Sequence, residues 1–217
     1  NALATTNAHY IGNLKLSNIQ RNLINSDNKK IFNIMITSSH ETEEELIIKN
    51  LKDIIISRKL KLCIAPRHLN RINVISKILE KYNLSYVLES NKKNAIKDVT
   101  IVDSYGNLDS YFNKSEIVIL GGSFVNKGGH NPLEPAKYGC TLISGNLIYN
   151  WQNIYDEMAN ENACIIINNV NDLGNRIDKL MINTNQIQKF REKAIDFSNK
   201  KFFDNERLFN EIDLVLN

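Results

Sequence analysis

The sequence contains little glycine or proline. Its 217 residues include nine glycines and three prolines, and five of those glycines and two of those prolines fall within residues 121–139, GGSFVNKGGHNPLEPAKYG. An apolar run, EIVIL (116–120), leads into this segment. Because glycine serves where the backbone turns sharply or approaches a ligand closely, residues 121–139 are the first candidate for a functional loop.

The sequence also has few cysteines, no long apolar run and little net charge. The three cysteines, Cys63, Cys140 and Cys164, are widely spaced, which predicts buried reduced thiols in a cytoplasmic protein. No apolar run approaches the roughly 20 residues of a membrane span, and the first residues lack a signal-peptide pattern. The formal net charge of +3 is too small to indicate nucleic acid as a partner.

Short β-branched runs alternate with segments of helical periodicity. The runs predict strands at residues 31–37, 61–66, 85–90, 99–104, 116–122, 141–145 and 163–168. The helical segments are residues 41–59, 69–82, 150–160, 171–182 and 184–203, and residues 204–217 predict a last helix that packs elsewhere. This alternation predicts an α/β fold, a doubly wound parallel sheet of the Rossmann-like kind.

Ligands of such sheets bind at the carboxyl ends of the strands. Four loops that follow strands are therefore expected to open on one edge: residues 37–41, 66–71, 103–108 and 121–139.

The first two of these loops offer anion-binding groups. Ser38, Ser39 and His40 precede an acidic helix start, where Glu41 or Glu43 is expected to close a capping box. The amides of the helix start are alternatively open to an anion. In the second loop Arg67 is suited to clamp a phosphate, unless it is solvated or ion-paired.

The glycine-rich loop matches neither a Walker A motif nor a G-x-G-x-x-G motif. Residues 121–123, Gly-Gly-Ser, let backbone amides approach an anion. Pro132 is suited to the first turn of a helix with Asn131 as its N-cap. Glu134 then lies where a carboxylate accepts hydrogen bonds from vicinal ribose hydroxyls, or where it only complements the helix dipole.

Three histidines, His40, His68 and His130, fall in these loops. Three histidines are able to bind a metal. Helical i,i+3 or i,i+4 spacing is absent, and no acid cluster or cysteine supports them. We expect no metal and no cofactor.

Residues 121–139 closely resemble the signature of 3-deoxy-D-manno-octulosonic acid (Kdo) transferases, glycosyltransferases that add Kdo to lipid A precursors. IGNLK (11–15), SSHETEEE (38–45), APRHLNR (65–71) and DSYGNLDSYF (103–112) resemble further motifs of that family in the same order. The resemblance covers essentially the whole chain. It implies one half of a GT-B glycosyltransferase, in which two Rossmann-like domains face each other across a cleft.

The resemblance also implies a domain plan. Residues 1–15 are an interdomain connection or an expression remnant, residues 16–203 form the C-terminal, donor-binding domain, and residues 204–217 form a helix that crosses onto an N-terminal domain. The parent enzyme would work at the cytoplasmic face of the bacterial inner membrane, with membrane association and the lipid A precursor belonging to its N-terminal domain. The fragment alone would be soluble.

The implied ligand is CMP-Kdo or CMP, which has a single phosphate. Arg67, beside Pro66, is the expected phosphate contact, and the backbone at Tyr105 and Gly106 meets the cytosine. The family often has Met in place of Tyr105, a change that a backbone contact tolerates. The other expected binding residues are Ser39, His40, Gly122, Ser123, Asn131 and Glu134, of which Glu134 receives the ribose hydroxyls.

Family members are inverting and metal-independent. A carboxylate general base in the N-terminal domain deprotonates the acceptor hydroxyl, which attacks the anomeric carbon as CMP leaves. The chain is therefore expected to bind donor without transferring sugar and to hold no catalytic residue. Two alternatives stay open: a GT-B donor domain for a UDP sugar, and a non-catalytic nucleotide-binding module.

Overall fold

The computed structural model describes residues 30–91 and 97–216, with residues 203–216 described only as helix backbone. Seven strands form one sheet in the order β3-β4-β2-β1-β5-β6-β7, and every neighbouring pair is parallel. The strands are β1 (Phe32–Ser39), β2 (Leu62–Pro66), β3 (Tyr86–Leu88), β4 (Val99–Ile101), β5 (Ser115–Leu120), β6 (Thr141–Gly145) and β7 (Cys164–Ile167). All seven predicted strands are confirmed.

The helices are α1 (Glu43–Arg58), α2 (Ile72–Lys81), α3 (Leu108–Lys114), α4 (Leu133–Ala136), α5 (Gln152–Asn160), α6 (Leu173–Ile182) and α7 (Thr184–Leu216). Helix α3 has no counterpart among the predicted helices, because its two turns are too short to show a clear period. Residues 204–216 are helical, as predicted, but they continue α7 without a break from residue 203. That this segment crosses onto another domain stays a prediction.

Helices cover both faces of the sheet. Side chains from α1, α2 and α6 pack on one face with Ile34 and Ile36 of the central strand β1. Side chains from α3, α4, α5 and α7 pack on the other face with Met35. The strands are thus buried on both sides, which explains why they read as continuous apolar runs. The predicted doubly wound α/β fold is confirmed.

The chain order reverses between β1 and β5, because β2 lies on one side of β1 and β5 on the other. Crevices at such a switch point are the usual ligand sites of open α/β sheets. Gly121, directly after β5, donates to the carbonyl of Thr37 at 2.8 Å. A Cβ at position 121 would collide with the carbonyl of Ser38, so glycine lets the β5 loop pack against the end of β1.

Other predictions concern the rest of the chain. Cys63, Cys140 and Cys164 are buried thiols that form no disulfide, as predicted. Within residues 30–91 and 97–216, no helix combines the length and the apolar character needed to cross a bilayer. The IGNLK motif and residues 1–15 lie outside the described residues.

Candidate functional site

A cleft opens at the carboxyl ends of the central strands and consists of two adjoining pockets that share Ser38, Arg67 and Leu108. We call them the Tyr105 pocket and the Glu134 pocket. The Tyr105 pocket is also lined by Ala65, Pro66, Val102, Ser104, Tyr105 and Gly106. The Glu134 pocket is also lined by Thr37, Phe112, Leu120, His130, Asn131, Glu134, Pro135 and Trp151.

Arg67 stands at the boundary of the two pockets. Its backbone N–H donates to the carbonyl of Ser39 at 3.0 Å, which fixes the start of the loop after β2. The residue is exposed, and no ion pair joins its guanidinium to another described residue. Arg71, in contrast, pairs with Glu44 at 3.3 Å and with Glu41 at 3.4 Å. Arg67 is therefore the arginine that remains available to an anionic ligand in the cleft.

Asn131 and Glu134 form the opposite wall. The side-chain oxygen of Asn131 accepts from the N–H of Leu133 at 3.0 Å, and Pro132 has helical dihedral angles, so the predicted cap and first turn are confirmed. Asn131 also donates to a carboxylate oxygen of Glu134 at 3.4 Å. Desolvation by the pocket walls raises the pKa of Glu134, while this hydrogen bond opposes the shift.

The Tyr105 pocket exposes the backbone of residues 105 and 106. Tyr105 is 70% exposed, and its hydroxyl accepts from the N–H of Leu69 at 3.4 Å. Gly106 has φ +95°, and no atom lies within 4 Å of the place where its Cβ would stand. The backbone of Gly106 is therefore open to the approach of a ligand.

The amides of the glycine-rich loop already hold an anion, the carboxylate of Glu43. Glu43 is fully buried and accepts from the N–H groups of Gly122 at 2.7 Å, Ser123 at 3.1 Å and Phe124 at 3.0 Å. It also accepts from the N–H of His40 at 3.1 Å, which is half of the predicted capping box. Burial raises the pKa of Glu43, and the four N–H donors oppose that shift.

The amides of Gly122 and Ser123 are therefore already bonded to Glu43, and the assignment of these two residues to ligand binding stays a prediction. Neither residue lines the two pockets. The hydroxyl of Ser123 is buried, donates to the carbonyl of Leu120 at 2.6 Å and accepts from the N–H of Gly145 at 2.8 Å. A carboxylate from α1 takes the place that the sequence suggests for a phosphate, and both residues serve the loop's internal structure.

Ser39 also faces away from the cleft. It is fully buried, and its hydroxyl has no hydrogen-bond partner among the described residues. The neighbouring Ser38 lines both pockets and has φ +52°. A register shift between β1 and β2 at residues 37–39 accompanies this change of direction. The serine of the cleft is thus Ser38, which sequence spacing alone does not distinguish from Ser39.

The three histidines lie close together, as expected from their positions in loops at one edge of the sheet. The Nε2 atoms of His40 and His130 lie 2.9 Å apart, and the two rings are nearly parallel, with centroids 5.1 Å apart. The His68 ring stands edge-on to His40 at 6.2 Å. Burial lowers the pKa of both members of the pair, that of His130 to about 4. In the part of the chain that the structure describes, no group of three His, Cys, Asp or Glu residues is arranged to hold a metal ion.

Comparisons with known proteins connect this cleft to a family. No protein-family model matches the chain. It is 30% identical over 223 residues to the 3-deoxy-D-manno-octulosonic acid transferase of Rickettsia prowazekii, covering 94% of this chain and 47% of that protein. The crystal structure of the C-terminal CMP-Kdo binding domain of WaaA from Acinetobacter baumannii matches with a TM-score of 0.71 at 27% identity, covering 79% of this chain and 90% of that one. The chain is a relative of the Kdo transferases.

The similarity concerns part of those proteins. The chain spans about half the length of the Rickettsia Kdo transferase. It is also 31% identical over 192 residues to a bifunctional glycosyltransferase/methyltransferase of Fusobacterium nucleatum, covering 87% of this chain and 28% of that protein. The match to the Acinetobacter domain agrees with the sheet described above. The predicted Rossmann-like fold is confirmed.

Proposed function

We propose that this chain is the donor-binding domain of a Kdo transferase and that its cleft holds the CMP part of CMP-Kdo. The observation that carries the proposal is that Arg67 and Glu134, separated by 67 positions in the sequence, line one pocket at the switch point of the sheet. An arginine that has no ion-pair partner among the described residues, beside a carboxylate, suits a ligand that has both a phosphate and vicinal hydroxyls. The similar Acinetobacter structure is that of a CMP-Kdo binding domain.

The parts of CMP are assigned to the two pockets. The cytosine lies in the Tyr105 pocket against the backbone of Tyr105 and Gly106, beside Pro66. The ribose hydroxyls donate to Glu134, which Asn131 orients through the contact described above. The phosphate lies at Arg67, where the two pockets meet. One guanidinium at that point, without an ion-pair partner in the part of the chain that the structure describes, matches one phosphate better than a diphosphate.

The proposed reaction belongs to the whole protein. Kdo is transferred from CMP-Kdo to a lipid A precursor with inversion, as the acceptor hydroxyl attacks the anomeric carbon and CMP leaves. We place the carboxylate base, the acceptor site and the membrane-associated surface in the portion of the relatives' length that this chain does not span. The 217-residue chain then binds donor or CMP and does not transfer Kdo alone.

Isothermal titration calorimetry of the 217-residue chain with CMP and with UDP tests this proposal. We expect measurable binding of CMP and at least tenfold weaker binding of UDP, roughly 1.4 kcal/mol of discrimination. Tighter binding of UDP would support a UDP-sugar transferase instead. Absence of binding to either nucleotide by the folded chain would overturn the assignment of the cleft.

A further inference from the structure

The His40–His130 pair has a defined arrangement of protons. Burial lowers the pKa of His130, and a hydrogen bond to the backbone of Ser38 opposes that shift; only a carbonyl acceptor stabilises the protonated ring in this way. Since Nε2 of His130 faces His40 at 2.9 Å, Nδ1 of His130 is the atom that donates to Ser38. In the neutral pair, Nε2 of His130 must therefore accept, and Nε2 of His40 must donate.

This arrangement leaves one place for an additional proton. Both ring nitrogens of His130 are already committed, and a proton on its Nε2 would set two donors against each other. Nδ1 of His40 carries only a lone pair in the neutral pair, and no hydrogen bond to it is found among the described residues. Protonation at His40 Nδ1 keeps the contact to His130 and gives the pair one positive charge.

The charges around the pair favour an anionic ligand. Lys127, His68 and Arg67 all lower the pKa of His40 through their positive charge, and Arg67 does the same to His130. On the pair's own segment, Glu41 is turned to Arg71 and Glu43 is saturated by four N–H donors. The nearby cations are thus not neutralised by these two acids, and an added negative charge would relieve their mutual repulsion.

The pair also lies next to the point where the phosphate is placed. His130 lines the Glu134 pocket together with Arg67, and His40 contacts His130 through Nε2. A group bonded to a phosphate at Arg67 therefore comes close to the two rings. In an activated sugar acid, the group bonded to the phosphate is the sugar, which has a carboxylate near its anomeric carbon. One imidazolium is able to bind one such carboxylate.

We propose that the His40–His130 pair is the subsite for the carboxylate of the transferred sugar acid and that His40 takes up one proton from solvent when this carboxylate binds. The inference rests on the proposed function, since it needs the phosphate of a CMP-linked ligand at Arg67. It adds a source of specificity, because CMP linked to a neutral sugar would leave the pair without a partner.

The test is calorimetry of the 217-residue chain at about pH 7.5 in two buffers of different ionisation enthalpy, which reports the number of protons taken up. The ligands are CMP, a non-hydrolysable carbon-linked analogue of CMP-Kdo, and the methyl ester of that analogue. We expect uptake of nearly one proton with the acid analogue and close to none with CMP or the ester. We also expect the acid to bind at least about tenfold more tightly than the ester, as for a charge-assisted hydrogen bond.

His40→Gln is the decisive variant, because the glutamine amide can still donate to His130 but cannot take up a proton. It should lose the proton uptake and bind acid and ester alike. His68→Asn removes a histidine that makes no hydrogen bond to the pair, and proton uptake should persist.

Two results would overturn the inference. One is CMP binding by the unmodified chain with no proton uptake and no preference for the acid over the ester. The other is a His40→Gln variant that retains both effects. Failure to bind CMP at all would instead remove the proposed function, on which this subsite depends.

Discussion

The carboxylate of Glu43 and the backbone N–H of Gly122 form a 2.7 Å hydrogen bond across 79 positions of the sequence. Together with the N–H groups of Ser123, Phe124 and His40, this contact ties the start of α1 to the loop after β5. The two loops that flank the switch point are thereby fixed relative to each other without a ligand. Glu43 therefore shapes the cleft while staying outside it.

Removing this carboxylate is predicted to destabilise the chain strongly. Glu43→Ala leaves four N–H groups without their acceptor in a buried place, at a cost of about 3–5 kcal/mol in the free energy of unfolding. Glu43→Gln keeps one acceptor oxygen and should cost less. Urea denaturation measures both values. Glu41→Ala, at an exposed ion pair of the same helix start, should cost under about 1 kcal/mol; equal losses at positions 41 and 43 would contradict this account.

Stability is predicted to depend on pH through His130. Its pKa is lowered to about 4 in the folded chain, chiefly by burial, from an ordinary value of 6.5. The unfolded chain therefore binds more protons between these two pH values, so the free energy of unfolding increases as pH rises through the window and levels off above it. After allowance for solvent screening, the contribution is roughly 1–2 kcal/mol.

Urea denaturation at several pH values between about 4.5 and 7.5 measures this slope. Carboxylates also titrate in part of this pH range. The unmodified chain is therefore compared with His130→Gln, which has the same carboxylates. The variant should show a shallower rise, and His68→Gln should keep the original slope. Parallel curves for the chain and His130→Gln would exclude the histidine as the cause.

Arg67→Ala is predicted to weaken CMP binding by about 1.5–3 kcal/mol, the size of a charge-assisted phosphate contact. Calorimetry gives this difference directly. Arg58→Ala is the matched control, because Arg58 ends α1 at the opposite edge of the sheet and pairs with Asp178 there. Unchanged affinity in a folded Arg67→Ala variant would show that the phosphate lies elsewhere.

Glu134 is predicted to distinguish ribose from deoxyribose. The chain should bind CMP about tenfold more tightly than 2′-deoxy-CMP, since a hydrogen bond to a carboxylate contributes roughly 1.5 kcal/mol or more. Glu134→Ala should lose this preference, and it should weaken the binding of 2′-deoxy-CMP less than that of CMP, because 2′-deoxy-CMP offers only its 3′-hydroxyl to the carboxylate. A variant that keeps the preference would assign the ribose hydroxyls to another residue.

The sequence predicted the strands and the edge of the site because both depend on local pattern. Buried parallel strands are continuous apolar runs, and the loops that follow them meet at one edge. Arg67, Asn131 and Glu134, which the sequence predicts at that edge, line the Glu134 pocket, and their binding of CMP stays a prediction.

The features that the sequence analysis missed are side-chain contacts and directions, which a local sequence pattern does not specify. The spacing of Glu43 indicates a helix start, and nothing in it shows that the side chain reaches amides about 80 positions away. The choice between Ser38 and Ser39 depends on one backbone dihedral angle, φ +52° at Ser38. Both features arise from the meeting of two distant loops, so they become visible only in the assembled fold.

The residue before Glu43 is predicted to be strained. Thr42 has φ +67° and ψ −30°, a region that β-branched residues rarely enter and that costs about 1–3 kcal/mol. Thr42→Gly should raise the free energy of unfolding by about 1 kcal/mol, because the relief exceeds the added entropy of glycine in the unfolded chain. Lys59, at the other end of α1, has φ +53° but no β-branch, so Lys59→Gly should give a smaller gain. Urea denaturation measures the free energy of unfolding of both variants. A destabilised Thr42→Gly variant would mean that contacts of the threonine side chain outweigh the strain of its backbone.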